Sequence, residues 1–351
     1  MDEKIKVFIE SKIDDGLFPG AVVYVKKENT VLLHEASGKA FNTKDIKRDM
    51  TKDTLFDIAS LTKVVITTII LKLITENKFS LDSTVGDLLP TVSNGSIGSI
   101  SVQQLLTHSS GLLDWYPFYT SNEAFYNQLE KIVSTNDKQK GVRYSDINYM
   151  LAAEIIKEST KLPIEEAFNQ YIRNPLKART MSYGPVHSDN VAATEFGNRI
   201  EQSMCYVRDL LFSGWRDINH PICGQVNDGN AYYYFKGVSG HAGLFASAED
   251  LSKIGEIYTN LGQLDGKDYI STTLIKQAMT KQVGTRGLGW EMSDLYPTGC
   301  GHTGFTGTSL WIDPVRRLTV VVLTNRLHTS DNPQNINEFR KKLHEMIDAA
   351  V

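Results

Sequence analysis

Asp57-Ile58-Ala59-Ser60-Leu61-Thr62-Lys63 places a hydroxyl and an ammonium three residues apart, and an apolar run from Val64 to Leu73 follows, broken only by Thr67, Thr68 and Lys72. The pattern predicts a helix from near Ser60 to Asn77, with Lys63 one turn beyond Ser60 on the same face. A serine at a helix start feels the positive end of the dipole, which favours a developing alkoxide. A lysine one turn on, partly desolvated, is expected to have its pKa lowered enough to accept or relay a proton. One rigid element then delivers nucleophile and base together. Alone, S-x-x-K is loose and recurs by chance as a solvated helix start.

Outward from this stretch, both chain ends carry helix and strand signals. Ile5, Phe8, Ile9 and Ile13 share one helical face. After the turn at Phe18-Pro19-Gly20, Ala21 to Lys26 and Val31 to Gly38 form a hairpin pattern joined by Lys27-Glu28-Asn29-Thr30. Near the other end, Thr308 to Ile312, the turn residues Asp313-Pro314, and the strand Leu318 to Thr324 precede a helix with Ile336, Phe339, Leu343, Met346 and Ile347 on one side. The middle is helical by pattern, at Ser101 to Thr107, Ala124 to Val133, Ile147 to Ser159 and Pro163 to Ile172. The expected fold class is α/β plus all-α: an antiparallel sheet from both chain ends, flanked by helices, with an inserted helical region. The sheet domain is expected over 1–57 and 236–351 and the helical domain over 58–235, with the active site at their interface. Thr91 to Ser99 reads as a flexible surface loop, and Asp217 to Phe235 as a long irregular one, a length uncommon unless functional. There is no internal repeat and no low-complexity tract.

The composition excludes several classes. The chain has 351 residues, with 37 Lys plus Arg against 41 Asp plus Glu, a net charge of −4 that argues against a nucleic-acid partner. Hydrophobic residues at 41% and charged residues at 22% exclude wholesale disorder. Cys205, Cys223 and Cys300 are odd in number and form no C-x-x-C, so neither a disulfide framework nor a thiolate zinc cluster is expected. No stretch is long and apolar enough to span a bilayer. Met1-Asp2-Glu3-Lys4 opens no apolar leader, which predicts a cytoplasmic chain, or an exported one if a leader has been removed. The expected partner is a small-molecule or peptide substrate, with no cofactor and no metal. Oligomeric state is not legible.

Two more motifs join the first. Tyr144-Ser145-Asp146 stands just before a helical pattern, and His302-Thr303-Gly304 ends a strand pattern. With Ser60 and Lys63 these resemble, in order and separation, the S-x-x-K, Y-x-N and K-T-G or H-T-G motifs of the serine β-lactamase and penicillin-binding-protein superfamily, in its class C-like branch. That branch holds class C β-lactamases, D,D-peptidases, D-amino-acid amidases and esterases. Phe18-Pro-Gly-Ala21, Leu105-Leu-Thr-His-Ser-Ser-Gly-Leu112, Gly240-His-Ala-Gly-Leu-Phe-Ala-Ser-Ala-Glu-Asp-Leu251 and Gly287-Leu-Gly-Trp290 resemble further segments of that branch, so the likeness covers nearly the whole chain. It implies a β-lactamase/transpeptidase-like fold and an acyl-enzyme on Ser60. Lys63 and Tyr144 would share the proton relay, either one taking the serine proton and Tyr144 delivering it to the leaving group. It also implies a catalytic part for His302 and an oxyanion hole from the N–H groups of Ser60 and Phe305. Asp146, Thr303 and Gly304 would bind substrate, Gly304 by letting the substrate backbone approach.

Two departures matter. Asp146 stands where many relatives carry Asn, and His302 where class C β-lactamases carry Lys. An anion and a mostly neutral imidazole therefore replace a neutral and a cationic group. Asp146 is expected to pair with Lys63, and the site to hold β-lactam carboxylates poorly. Other chemistry-bearing residues read as structural. Glu165, Glu166 and Asn169 lie on the solvated face of a helix, and His108 packs beneath the site. His220, Cys223, Asp228 and His241 form a polar loop cluster whose spacings match no zinc pattern. Cys300 is a small apolar filler. Tyr232 to Phe235 either pack or line a groove, with packing favoured. The charges from Lys44 to Lys52 sit on a solvated loop. The expected function is a serine hydrolase cleaving amide bonds of cell-wall-type or D-amino-acid-containing substrates. The alternatives are an esterase of the same fold, a β-lactamase and, last, a non-catalytic scaffold.

Overall fold

The computed structural model describes residues 2–92, 97–134 and 141–351. In chain order, helix α1 (Asp2–Asp14) leads into strands β1 (Gly20–Lys27), β2 (Thr30–Asn42), β3 (Lys47–Asp49) and β4 (Phe56–Asp57). Helices α2 (Thr62–Thr75) and α3 (Asp146–Thr160) follow, then β5 (Ser182–Tyr183), β6 (Leu244–Ala246) and helix α4 (Ala248–Thr259). Strands β7 (Cys300–Thr303), β8 (Thr308–Asp313) and β9 (Leu318–Thr324) and helix α5 (Asn337–Asp348) close the chain.

The main sheet is antiparallel with order β3-β2-β1-β9-β8-β7. Strands from the two ends are neighbours: Val23 of β1 lies opposite Glu35 of β2 on one side and Val322 of β9 on the other. Alternate residues serve two cores. Val22, Tyr24, Leu310, Val321 and Leu323 face α4 and the helical region. Val23, Val25, Trp311, Val320 and Val322 face α1 and α5 through Ile5, Ile9, Phe339, Leu343 and Ile347. With both faces covered, Leu318 to Thr324 is buried at every position instead of alternating, with an unbroken apolar run from Val320 to Leu323. Gly255 brings α4 against this sheet, because a Cβ there would stand 2.7 Å from Thr319 Cγ2 and 2.9 Å from Ile312 Cγ2.

Helix α2 is the centre of the helical region and is buried nearly all round, as an interior helix requires. The hydroxyls that break its apolar run are both used. Thr67 Oγ1 lies 3.0 Å from Tyr149 Oη of α3, and Thr68 Oγ1 lies 3.0 Å from Tyr258 Oη of α4. A second small sheet, order β4-β6-β5, pairs Phe56 with Ala246 and Ser182 with Phe245. Strands this short carry no alternation and gave no signal in the sequence.

Three local expectations change. The α-helix expected near Ser60 begins at Thr62, and Ala59–Leu61 form a 3₁₀ turn ahead of it. The segment 217–235, expected to be loop throughout, ends in a five-residue π-helical turn, Asn230–Tyr234. The helix expected from Pro163 is α-helical over Ile164–Phe168 and then widens to a π turn, Asn169–Arg173, with Pro163 as its N-cap. Of the loop expected at 91–99, residues 93–96 lie outside the described residues, and Pro90–Val92 form a 3₁₀ turn. Among the described residues no helix is long and apolar enough to cross a membrane.

Candidate active site

The chain reaches Ser60 through a fixed kink. Ala59 has φ +46°, a left-handed conformation that costs a residue bearing a Cβ about 1–2 kcal/mol. Its neighbours hold it there. Ala59 N donates to Asp57 Oδ1 at 2.8 Å, while Thr306 Oγ1 donates to Asp57 O at 2.7 Å and Thr308 Oγ1 to Ile58 O at 3.1 Å. Strand β8 and the turn before it therefore pin the residues that present the serine. Asp57 is buried, its other oxygen accepts from Asn227 N at 2.7 Å, and burial pushes its carboxyl up to about 6.

Lys63, whose side chain is 0% exposed, has its ammonium between three oxygens. Nζ lies 2.8 Å from Ser60 Oγ, 2.8 Å from Asp146 Oδ1 and 3.1 Å from the His241 carbonyl. Burial alone would push the ammonium pKa down. The Asp146 carboxylate, and then Tyr144, outweigh it, and the net direction is up. This reverses the lowered lysine expected from the sequence. The reason is the Asp at position 146: a carboxylate in contact with a buried ammonium stabilises its charged form.

Tyr144 is clamped by rings and cations. Its ring stacks on His108 at 4.3 Å, with the Lys63 ammonium 5.0 Å and the Arg286 guanidinium 5.3 Å from its centroid. His108 Nδ1 accepts from Ser145 N at 3.0 Å, which fixes the start of α3 and places the ring proton of the neutral form on Nε2. His108 thus packs under the site. His302 lies in the wall rather than in the cavity, at 3% exposure. Its Nδ1 lies 2.8 Å from Thr303 O, and its Nε2 is buried without a partner. Burial, then Arg286 and Lys63, hold both imidazoles well below their usual range, so both are neutral.

Arg286 went unnoticed in the sequence. It stands directly before Gly287-Leu288-Gly289-Trp290, on an irregular segment with no periodicity to give it a face. Its Nε is buried without a partner, and its nearest carboxylate, Glu291, is 3.6 Å away. A cation therefore does stand beside the histidine of His302-Thr303-Gly304, supplied by another segment.

A cavity of about 260 Å³ opens at Ser60, walled by Tyr144, Trp115, Glu201, Asp228 and Phe305 among others. The amides of Ser60 and Phe305 come from the turn before α2 and the turn after β7. Among the described residues neither N–H is taken by a protein acceptor. The Phe305 ring is 46% exposed, under the Arg326 guanidinium. Thr303 ends β7 opposite Ser309. Gly304 is also required by packing. A Cβ there would stand 2.0 Å from Thr308 Oγ1 and 2.7 Å from Ile58 O, so its smallness serves the packing of strand edge against the Ser60 turn.

The loop cluster divides. His220 pairs with Asp217 on the surface, and Cys223 lies beside Arg48. Asp228 and His241 meet at 2.8 Å, and with Asp146 their ligand atoms lie within 4.8 Å of one another. Among the described residues these three are the groups that could hold a metal ion, but the Lys63 ammonium already engages Asp146. Cys300 is fully buried, and burial pushes its thiol up. Glu165 and Glu166 are exposed. Tyr232 to Phe235 pack outside the cavity, with Tyr233 Oη donating to Asn198 Oδ1 and Tyr234 Oη to Glu123 O.

A family model described as Beta-lactamase matches residues 5–344. An N-acetylmuramyl-L-alanine amidase from Bacillus subtilis (strain 168) is 31% identical over 384 residues, covering 96% of this chain and 84% of that protein. A protein from Escherichia coli (strain K12), provisionally named a D-alanyl-D-alanine carboxypeptidase, is 29% identical over 373 residues, covering 95% and 84%. The structure of a class C beta lactamase from Rhodobacter sphaeroides superposes with a TM-score of 0.74 at 19% identity, covering 99% of both chains, which is a likeness of fold.

Proposed function

The chain belongs to the beta-lactamase family, and from that premise we propose that it cleaves amide bonds of D-amino-acid-containing or cell-wall-type peptides through an acyl-enzyme on Ser60. The observation that carries this reading is the 2.8 Å contact between a fully buried ammonium and Ser60 Oγ at the edge of a cavity. Such an ammonium orients the hydroxyl and stabilises the alkoxide, but while it stays charged it cannot take the serine proton. Tyr144 is the group left to accept it. The neighbouring Lys63 and Arg286 cations stabilise negative charge that develops on the phenol oxygen during transfer.

Oγ then bonds to the substrate carbonyl carbon. The oxyanion is received by the free amides of Ser60 and Phe305, a preorganised pair whose members are each typically worth about 10²–10³ in rate. The C–N bond breaks as Tyr144 returns the proton to the leaving nitrogen. Water attacks the resulting ester and regenerates Ser60. A leaving group protonated at Tyr144 lies next to Arg286, whose guanidinium suits a terminal carboxylate. The names of the two curated relatives favour amide over ester bonds.

The test is covalent labelling followed by a substrate panel. A fluorophosphonate or penicillin adduct is expected at Ser60 by peptide mass mapping, and none in Ser60→Ala. Peptides ending in D-Ala-D-Ala and muropeptides are expected to be cleaved. Turnover confined to p-nitrophenyl esters would overturn the amide reading.

A further inference from the structure

Arg340 is a buried cation whose hydrogen-bond partners among the described residues are all neutral oxygens. It stands at 5% exposure in the first turn of α5, where the helix dipole disfavours positive charge. Nη1 donates to Asn337 Oδ1 at 3.0 Å, and Nη2 donates to Gly304 O at 3.2 Å and to Thr308 O at 2.9 Å. Nε is buried without a partner. A guanidinium taken out of water with no counter-charge is expensive. Burial lowers it to about 10, so it is still charged at neutral pH.

The two carbonyls it reaches close the turn between β7 and β8. Backbone bonds already hold that turn: Gly304 N donates to Thr308 O at 2.7 Å, and Gly307 N to Gly304 O at 3.1 Å. What Arg340 adds is charge at one peptide. The Gly304 carbonyl and the Phe305 N–H belong to the same planar unit and point in opposite directions. The carbonyl meets Arg340, and the N–H is the amide left free beside Ser60.

We propose that Arg340 is a positioning residue for the oxyanion hole: from α5 it fixes the plane of the Gly304–Phe305 peptide and polarises it, so that the Phe305 N–H is a stronger donor to the oxyanion. The proposal rests on the acyl-enzyme reading above. A cationic donor on the carbonyl draws electron density from the amide nitrogen, and hydrogen bonds in series strengthen one another in a low-dielectric interior. Arg326 supplies a comparison on the same turn. Its Nε donates to Phe305 O at 3.1 Å and its Nη1 to Gln334 O at 2.8 Å. Phe305 O belongs to the next peptide, so Arg326 holds the turn without polarising the Phe305 N–H.

The experiment is the kinetics of fluorophosphonate labelling of the full chain, followed by peptide mass mapping. Ser60 Oγ displaces fluoride from phosphorus, and the charge that grows on the phosphoryl oxygen falls to the same two amides. The maximal labelling rate therefore reports the oxyanion hole, and the half-saturating concentration reports binding. Arg340→Met keeps the buried stem and removes the guanidinium. A donor lost outright costs about 10²–10³, so one that is kept but weakened is expected to lower the maximal rate about tenfold, with half-saturation unchanged. Arg326→Met is expected to change that rate by less than about threefold. If Arg340→Met does not fold, Arg340→Lys keeps the charge on a stem one atom shorter than the guanidinium fork, and a loss of about threefold or more is expected. Either Arg340 variant, folded and labelled at the wild-type maximal rate, overturns the proposal. So does a loss in Arg326→Met equal to that in Arg340→Met, because any loosening of the turn would then suffice. Both results leave the acyl-enzyme reading standing. A wild-type chain that takes no label at Ser60 overturns that reading, and this proposal with it.

Discussion

In the six-stranded sheet each residue from Leu318 to Thr324 is buried, and the apolar ones are covered by helices from the two chain ends or by α4. The segment 190–243 is held another way. Its regular structure is one eight-residue helix and one π turn, and side chains tie it together. Asn198 Nδ2 donates to Asn227 O at 2.7 Å, Asn230 Nδ2 to Tyr116 O at 2.9 Å, and Gly229 N to Glu201 Oε1 at 2.6 Å. The sheet fixes where Ser60 and Phe305 stand. The segment decides what lies opposite them. Apolar burial is non-directional and tolerates substitution of similar volume, whereas hydrogen-bonded polar groups in a dry interior specify individual atoms. A change in the first region should therefore cost stability, and a change in the second should alter substrate choice.

The largest expected effect belongs to neither region but to the point where they meet. Ser60→Ala should lower kcat/KM by about 10⁴–10⁶, the range seen when a nucleophile is removed from a serine hydrolase. A smaller loss in amide hydrolysis would mean that another group attacks. Next comes the sheet. Trp311 is fully buried between β8 and the terminal helices, with Nε1 donating to Thr298 O at 2.7 Å. Trp311→Ala should destabilise by about 3–5 kcal/mol in urea unfolding, with kcat/KM per folded molecule unchanged. Loss of activity without loss of stability would erase the distinction between the regions.

The same contrast governs what could be read from the sequence. Strands buried on both faces announce themselves as apolar runs, and Ser60, Lys63, Tyr144 and His302 stand in short motifs with fixed neighbours. The chain-end sheet and the inserted helical region were therefore legible. Glu201 and Arg286 were not, because an acid or a base on irregular backbone has no periodicity from which to infer its direction. The raised Lys63 is an intermediate case. Asp146 was visible as its partner, but the direction of the shift depends on a 2.8 Å contact that outweighs complete burial, and spacing along the chain does not supply that distance. Gly304 was legible as a place needing no side chain. That its neighbours there are Thr308 and the Ile58 carbonyl is a fact of packing.

Asp57 links the two regions, since its carboxylate accepts from Ala59 N on one side and Asn227 N on the other. Its carboxyl rises from an ordinary 3.8 to about 6 through burial. Below about pH 3.8 folded and unfolded states are both protonated at this group. Between there and about 6 the unfolded chain gives up the proton that the folded one keeps, so stability falls as pH rises, by up to about 3 kcal/mol, and then levels off. Asp57→Asn should remove this part of the fall. Urea unfolding at pH 4 and pH 7 checks it, with Glu195, also raised by burial, to about 7, left to account for what remains. An undiminished fall in the variant would mean that Asp57 is ionised throughout.

The smallest effect is the sharpest test of the segment. Tyr119→Phe keeps the ring among Phe212, Trp215 and Tyr233 and removes only the hydroxyl that donates to Glu201. Between a phenol and a carboxyl held in its neutral form, that bond is worth about 1 kcal/mol. Without this donor Glu201 ionises less readily, so the relative kcat/KM among substrates that differ only in the acyl group should shift modestly. Stability should fall by the same modest amount. A loss of stability with those ratios unchanged would place Glu201 among the scaffold contacts, and the segment would then differ from the sheet only in how it is held, not in what it does.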